Sequence, residues 1–282
     1  MNRIGVMVDC FRLGFEEGVK RAAALGAGAI QMGGTGDFAP AKLSPARRAE
    51  IKRIVADAGL AISAVCGDLG GHGLYSAEEN QWKLPETLRI LDMTAEMGCH
   101  VMTTHIGVIP HLPNDARRPV LMEAMQQLCT HAGSVGVRIA IETGPEPVVV
   151  LRDFIDELPK GTVGANFDPA NLVMVCGADT ALGVKTLGKE RIVHTHAKDG
   201  VMFKYIGPEA IYGFFADGGI EDFRMGDYFL EMPLGQGDVD VPRWIQALSD
   251  IGYEGHITIE REVGEAPEKD IAEAIGFLQK LL

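Results

Sequence analysis

Residues 138–171 read RIAIETGPEPVVVLRDFIDELPKGTVGANFDPAN, and this stretch holds one complete copy of a unit that recurs along the chain. Arg138–Glu142 is a short β-prone run that ends in a carboxylate. Val148–Leu158 carries apolar residues at helical spacing, and Val163–Asp168 is a second run ending in a carboxylate. Neither run alternates cleanly between apolar and polar, the pattern of strands covered on both faces of a parallel sheet. Outward from this unit the alternation continues. Further strand-like runs fall at Ile4–Val8, Ala29–Met32, Ala61–Cys66, Val101–His105, Ile192–His196 and His256–Glu260. Helical spacing fills Phe15–Leu25, Pro45–Ala58, Glu78–Met97, Arg118–Val135, Thr180–Leu187, Val241–Ile251 and Pro267–Leu281. Glycine follows several of these helices directly, at Gly26, Gly59, Gly98, Gly136 and Gly252, as a left-handed C-cap requires. Eight βα units predict an α/β fold, a (β/α)8 TIM barrel occupying residues 1–282 as a single domain. A doubly wound open sheet is the competitor, and no G-x-G-x-x-G follows the first run.

The chain has 282 residues, 46% of them hydrophobic and 23% charged, enough to bury a large core. Its 26 Lys and Arg against 39 Asp and Glu give a formal net charge of −13. Such a chain repels a polyphosphate backbone unless it carries a local basic stripe, and Arg47-Arg48 and Arg117-Arg118 are isolated pairs. Nucleic acid is therefore disfavoured as a partner. The five cysteines (Cys10, Cys66, Cys99, Cys129, Cys176) are odd in number and contain no C-x-x-C, which argues against a disulfide framework and a thiolate zinc cluster. The first residues lack the apolar length and cleavage site of a signal peptide. No stretch approaches 18 uncharged apolar residues. A soluble, cytoplasmic protein with no membrane partner is expected.

One segment departs from the repeat. Lys198–Asp240 lies between the seventh strand and its helix, with Phe-rich pieces and Gly218-Gly219. Long connections of this kind in compact domains are usually functional, and this one starts on the face where a barrel's site lies. It is read as a long insertion after strand 7 that serves as a lid or an interface. Its apolar pieces Val201–Ile206 and Ile211–Phe215 would suit a homodimer or homotetramer contact.

Four consecutive strand-like runs end in a residue of metal-ligand type: Glu142, Asp168, His196 and Glu260. Charge in a buried strand is costly unless paired or bound to a cation, and a barrel tolerates it at the C-terminal mouth. Taken singly, each is better read as a strand-end group capping the next helix. Four at one position in successive units, on strands that are neighbours in a barrel, are not explained that way. Three carboxylates and one imidazole form a hard site suited to Mn2+, Mg2+ or Co2+ and tolerant of Zn2+.

The strings Ile-Glu142-Thr-Gly, Asn-Phe-Asp168-Pro-Ala-Asn171, His194-Thr-His196-Ala-Lys198-Asp199-Gly, Pro233-Leu-Gly-Gln-Gly-Asp238-Val-Asp240 and Gly252-Tyr-Glu-Gly-His-Ile-Thr-Ile-Glu260 resemble the sugar phosphate isomerase/epimerase superfamily. These are xylose isomerase-like TIM barrels, whose members include ketose 3-epimerases, inosose dehydratase and endonuclease IV. The resemblance spans most of the chain. It implies one divalent metal ion held by Glu142, Asp168, His196 and Glu260, with His194 in the core or behind the site. It also implies that Glu142 and Glu260 act as acid and base on a ketose or related sugar, moving a proton through a metal-stabilised enediolate. A sugar or sugar phosphate is the small-molecule partner expected. Candidate substrate contacts are His72 in the loop after the third strand, His105 at the end of the fourth, Glu146 and Asn171. Lys198 would meet a phosphate or pair with Asp199 or another acid. Asp9, at the end of the first strand, is a weaker candidate.

The sequence also departs from its relatives. Asn171 and Glu231 stand where endonuclease IV has histidines for a trinuclear zinc site. The ketose 3-epimerases usually carry a histidine at the position of Asn171, and an arginine shortly after the seventh-strand motif, where this chain reads Ala197-Lys198-Asp199-Gly200. The alternatives to a sugar isomerase or epimerase are an inosose-dehydratase-like lyase on the same site and a non-catalytic sugar-binding barrel.

Overall fold

The computed structural model describes residues 3–110, 112, 114–219 and 224–282. Its elements run β1 (Ile4–Met7), α1 (Phe15–Ala24), β2 (Ala29–Gly33), α2 (Pro45–Asp57), β3 (Ala61–Cys66), α3 (Asn80–Glu96), β4 (Val101–Thr104), α4 (Arg117–Val135), β5 (Arg138–Glu142) and α5 (Val148–Asp156). They continue with β6 (Val163–Phe167), the short turn α6 (Pro169–Asn171), α7 (Thr180–Arg191), β7 (Ile192–Ala197), β8 (Asp199–Met202), α8 (Pro208–Ala216), β9 (Phe229–Met232), α9 (Val241–Asp250), β10 (Ile257–Ile259) and α10 (Pro267–Leu278).

Eight parallel strands close into a barrel in the order β1-β10-β7-β6-β5-β4-β3-β2, a (β/α)8 architecture. Barrel residues such as Val6, Ile30, Val65, Met102, Ile139 and Ile259 are buried together with helix residues such as Ile90, Leu128, Phe154 and Trp244. The strands therefore lie covered on both faces, as near-continuous apolar runs require. Helix α7 contains a break at Gly188, whose φ is +69°. The helical spacing stops one residue earlier for the same reason: a left-handed backbone cannot propagate a right-handed helix. No helix among the described residues is long and apolar enough to cross a membrane.

The stretch between β7 and α9 has structure of its own. Strands β8 and β9 pair antiparallel, Asp199 opposite Met232 and Met202 opposite Phe229, and α8 lies between them in sequence. The root of this hairpin is held by one side chain. Oδ1 of Asp199 accepts from the amides of Gly200 (2.8 Å) and Val239 (3.1 Å), and Oδ2 accepts from Gly235 and Gly237 (both 2.9 Å).

Candidate metal and substrate site

Parallel strands deliver their C-terminal ends to the same mouth, and four adjacent ones deliver the cluster. Glu142 ends β5, Asp168 follows β6, His196 is the next-to-last residue of β7 and Glu260 follows β10. One oxygen of each carboxylate and one imidazole nitrogen all lie within 4.8 Å of one another. Nδ1 of His196 is 3.1 Å from Glu260 Oε2 and 3.6 Å from both Glu142 Oε1 and Asp168 Oδ2. Solvent scarcely reaches the group: Asp168 is 0%, His196 1%, Glu260 6% and Glu142 8% exposed.

The surroundings fix how the imidazole is presented. Nε2 of His196 stands 3.0 Å from the carbonyl oxygen of the Gln31 side chain, an acceptor, so Nε2 carries a proton and Nδ1 is the nitrogen that faces the carboxylates. Gln31 is held in that orientation by its amide, which donates to Thr103 Oγ1 at 3.3 Å. One layer down, His194 is also pinned, with Nδ1 2.9 Å from Asn166 Oδ1 and Nε2 3.0 Å from Thr258 Oγ1. Burial, and then the nearby charge of His196, hold its pKa well below the usual histidine range. His194 is thus a neutral spacer between the barrel core and the cluster.

Each carboxylate has a distinct setting. Glu142 accepts from Asn166 Nδ2 and Asn171 Nδ2, both at 3.0 Å. Burial raises its pKa, but the charges of His196 and His105 outweigh burial and hold it below the ordinary carboxylate range. Burial likewise opposes ionisation of Glu260, and His196 and Lys198 overcome it. In Asp168 burial prevails and the carboxyl is raised. Asp168 also serves the capping role open to any strand-end acid: Oδ1 accepts from the Asn171 amide at 2.9 Å. Its other oxygen, Oδ2, is buried with no hydrogen-bond partner among the described residues and faces His196 Nδ1. An orphaned carboxylate oxygen, an imidazole nitrogen held toward it and two further carboxylates form a donor set that a hard divalent cation satisfies once it displaces the ring proton. The same set without a cation leaves buried negative charge poorly compensated. The residues fit a metal ion.

Among the other candidates, His105 lies beside the cluster, with Nε2 3.9 Å from Glu142 Oε1 and Nδ1 3.0 Å from Asp68 Oδ2. Asn171 touches Glu142 as described. Glu146 is buried and accepts from the Ile109 amide at 3.2 Å, and burial pushes its pKa up to about 8. Lys198 is buried and committed to acids. Its Nζ lies 3.0 Å from Glu260 Oε2 and 3.8 Å from Glu231 Oε2, and it pairs with Glu262 as well. Asp199 turns away from it to the hairpin root. His72 stands at the rim, 2.8 Å from Asp217 just past α8, and Asp9 is exposed in the turn after β1. Sequence reasoning passed over Gln31, Asn166 and Tyr212. The first two carried a signal, since each is an uncharged polar residue inside an otherwise apolar strand, and Asn166 is two residues from Asp168 on the same strand face. Tyr212 carried none, because α8 is placed over the mouth only by the tertiary fold.

The profile of the xylose isomerase-like TIM barrel family matches residues 19–281. No curated protein matches the chain. Among solved structures, a xylose isomerase domain protein from Planctomyces limnophilus superposes with a TM-score of 0.81 at 24% identity, covering 99% of this chain and 97% of that one. A D-psicose 3-epimerase solved in the presence of D-fructose gives 0.74 at 16% identity, covering 99% of each. The probable 3-DHS dehydratase AsbF of petrobactin synthesis from Bacillus anthracis gives 0.75 at 16%, again covering 99% of each. At these identities the likeness establishes a shared fold. The profile match over nearly the whole length goes further: the chain belongs to the xylose isomerase-like TIM barrel family.

Proposed function

We propose that this single-domain barrel is a divalent-metal-dependent sugar isomerase or epimerase of the cytoplasm, acting on an uncharged ketose or related keto sugar. The observation that carries the reading is the placement of Glu142 and Glu260. Their strands are separated in the barrel by β6 and β7, so the two carboxylates approach the cluster from opposite flanks while both remain within reach of His196 Nδ1. Glu142, Asp168, His196 and Glu260 would hold the ion, with Mn2+, Mg2+ or Co2+ best matched to three oxygens and one nitrogen. Such an ion supplies Lewis acidity, which makes the C–H beside a coordinated sugar carbonyl more acidic.

The protein's own groups then do the proton work. One glutamate carboxylate takes the proton from the carbon beside the carbonyl, and the other returns a proton from the opposite flank. Glu146, with a pKa of about 8, is protonated at neutral pH and is a hydrogen-bond donor for a sugar oxygen. His105 and Asn171, both beside Glu142, orient hydroxyls. Lys198 is already engaged by Glu260, Glu262 and Glu231, which favours a neutral sugar over a phosphorylated one. Exposed Phe203, Tyr205 and Phe215 suit a contact between copies, which sedimentation would read out.

A lyase is the second reading. Asn171 in place of the epimerase histidine, and the fold shared with a dehydratase, favour it. The test has two stages. Metal content by mass spectrometry should give about one divalent ion per chain in the wild type and none in Asp168→Ala or Glu260→Gln. Incubation with D-psicose, D-tagatose, D-fructose and inososes in deuterated water then separates the readings. Isomerisation keeps the skeleton mass and adds deuterium at carbon, whereas a lyase product is lighter by one water. Absence of metal under every loading condition overturns both readings and leaves a sugar-binding barrel.

A further inference from the structure

Helix α8 is tethered to the barrel rim near both of its ends. At its N-terminal end Glu209 pairs with Arg117 of α4 at 3.0 Å. Just beyond its C-terminal end Asp217 meets His72 of the loop after β3 at 2.8 Å. Between these ties, Tyr212 shares a helix face with Glu209 three residues before it. Its ring leans on His105, centroids 5.9 Å apart and tilted by 53°. The hydroxyl reaches the backbone at Gly144, two residues past Glu142. A β-carbon at Gly144 would stand 2.9 Å from that hydroxyl and 2.7 Å from Cβ of Asn171, and Gly144 itself has φ +139°. Glycine at this position leaves room for the tyrosine. The phenol is thus placed beside His105 and Gly144, yet its hydroxyl makes no hydrogen bond to a described residue. A phenol O–H carried into a polar mouth without a partner is a donor awaiting one.

We propose that Tyr212 is a substrate-contacting residue, donating a hydrogen bond to an oxygen of the sugar bound above the cluster, and that α8 is the movable cap that brings it there. The inference rests on the sugar-enzyme reading above. One tether is an exposed ion pair and the other an exposed histidine–carboxylate contact, and such surface contacts hold an element lightly, so the cap can lift to admit substrate and settle again. Substrate selection would then depend in part on a residue outside the barrel strands. Sugars with an oxygen in reach of the phenol are favoured over deoxy analogues.

Two measurements on the metal-loaded full chain test this. The first needs no sugar. Hydrogen–deuterium exchange of the peptide covering 207–217 should quicken roughly fivefold in the double variant Glu209→Gln/Asp217→Asn, while β5 and β6 keep their protection. Unchanged exchange overturns the tethered cap. The second uses whichever sugar of the panel the wild type converts. Tyr212→Phe, which removes only the hydroxyl, should raise KM about tenfold with a smaller change in kcat. Unchanged KM and kcat in an active Tyr212→Phe enzyme overturn the role of Tyr212 and leave the sugar reading standing. A wild type that neither binds nor converts any panel sugar overturns both together.

Discussion

The side-chain carbonyl of Gln31 lies 3.0 Å from Nε2 of His196, across the barrel mouth from the strand that carries Asp168. This one contact sets which imidazole nitrogen faces the carboxylates. Gln31→Leu should therefore lower divalent-metal affinity about 10- to 100-fold without unfolding the barrel. Titration of the chelator-stripped protein with Mn2+, followed calorimetrically, reads the change. Equal affinity in the two proteins would show that the imidazole needs no such guide.

Asp168 combines two roles that substitution can separate. Asp168→Asn removes the charge and retains an oxygen for the Asn171 amide, whereas Asp168→Ala removes both. Each should abolish metal retention. In the metal-free state the alanine variant should be less stable than the asparagine variant by about 1 kcal/mol, the usual worth of an N-cap. Urea unfolding in the presence of chelator provides the comparison.

Burial holds the carboxyl of Glu146 protonated up to about pH 8, against about 4.5 in an unfolded chain. Between those values the folded chain binds a proton that the unfolded chain has released. Its contribution to stability is thus complete below about 4.5, declines as pH rises toward 8, and is constant beyond. Glu146→Gln should flatten this part of the profile. The variant should gain on the order of a few kcal/mol relative to wild type at pH 8.5 over the same comparison at pH 4.5. Urea unfolding of metal-free protein at both pH values measures it.

Lys198 supplies positive charge to Glu260, Glu231 and Glu262 at once. Lys198→Met leaves buried Glu260 facing the rim carboxylate of Glu262, while Glu231 keeps Arg261 at 2.7 Å, and should cost about 3–5 kcal/mol. Adding Glu262→Gln should recover part of the loss, because the group left facing Glu260 then carries no charge. Chemical unfolding of the single and double variants checks the sign of the coupling.

The barrel and the cluster were legible for one reason. Each depends on a pattern local to a single βα unit, repeated until the topology had no other solution. The carboxylates of Glu142, Asp168 and Glu260 stand out because charge at the end of an apolar strand is costly, and that cost is visible in any window around them. What lay hidden depends on contacts between distant segments. Lys198 finds Glu231 on β9 and Glu262 past β10, so nothing beside Lys198 in sequence names its partners. His72 is tied to Asp217, 145 positions away, and Tyr212 acquires its place only once α8 has folded across the mouth. Strand ends shifted slightly as well. β6 stops at Phe167 because Asp168 caps the next turn, and β4 stops at Thr104, leaving His105 free to turn toward Asp68.

Asp199 gathers the outgoing and returning backbone of the β8–β9 hairpin onto a single carboxylate. The loop beyond is closed at its base by this one side chain, so the registers of β8 and β9 are set before the sequence between Met202 and Phe229 is read. A chain built this way can exchange that loop for a longer, shorter or differently lined one and keep the four strand-end residues of its mouth in register. The barrel would change clientele by changing its awning rather than its foundations.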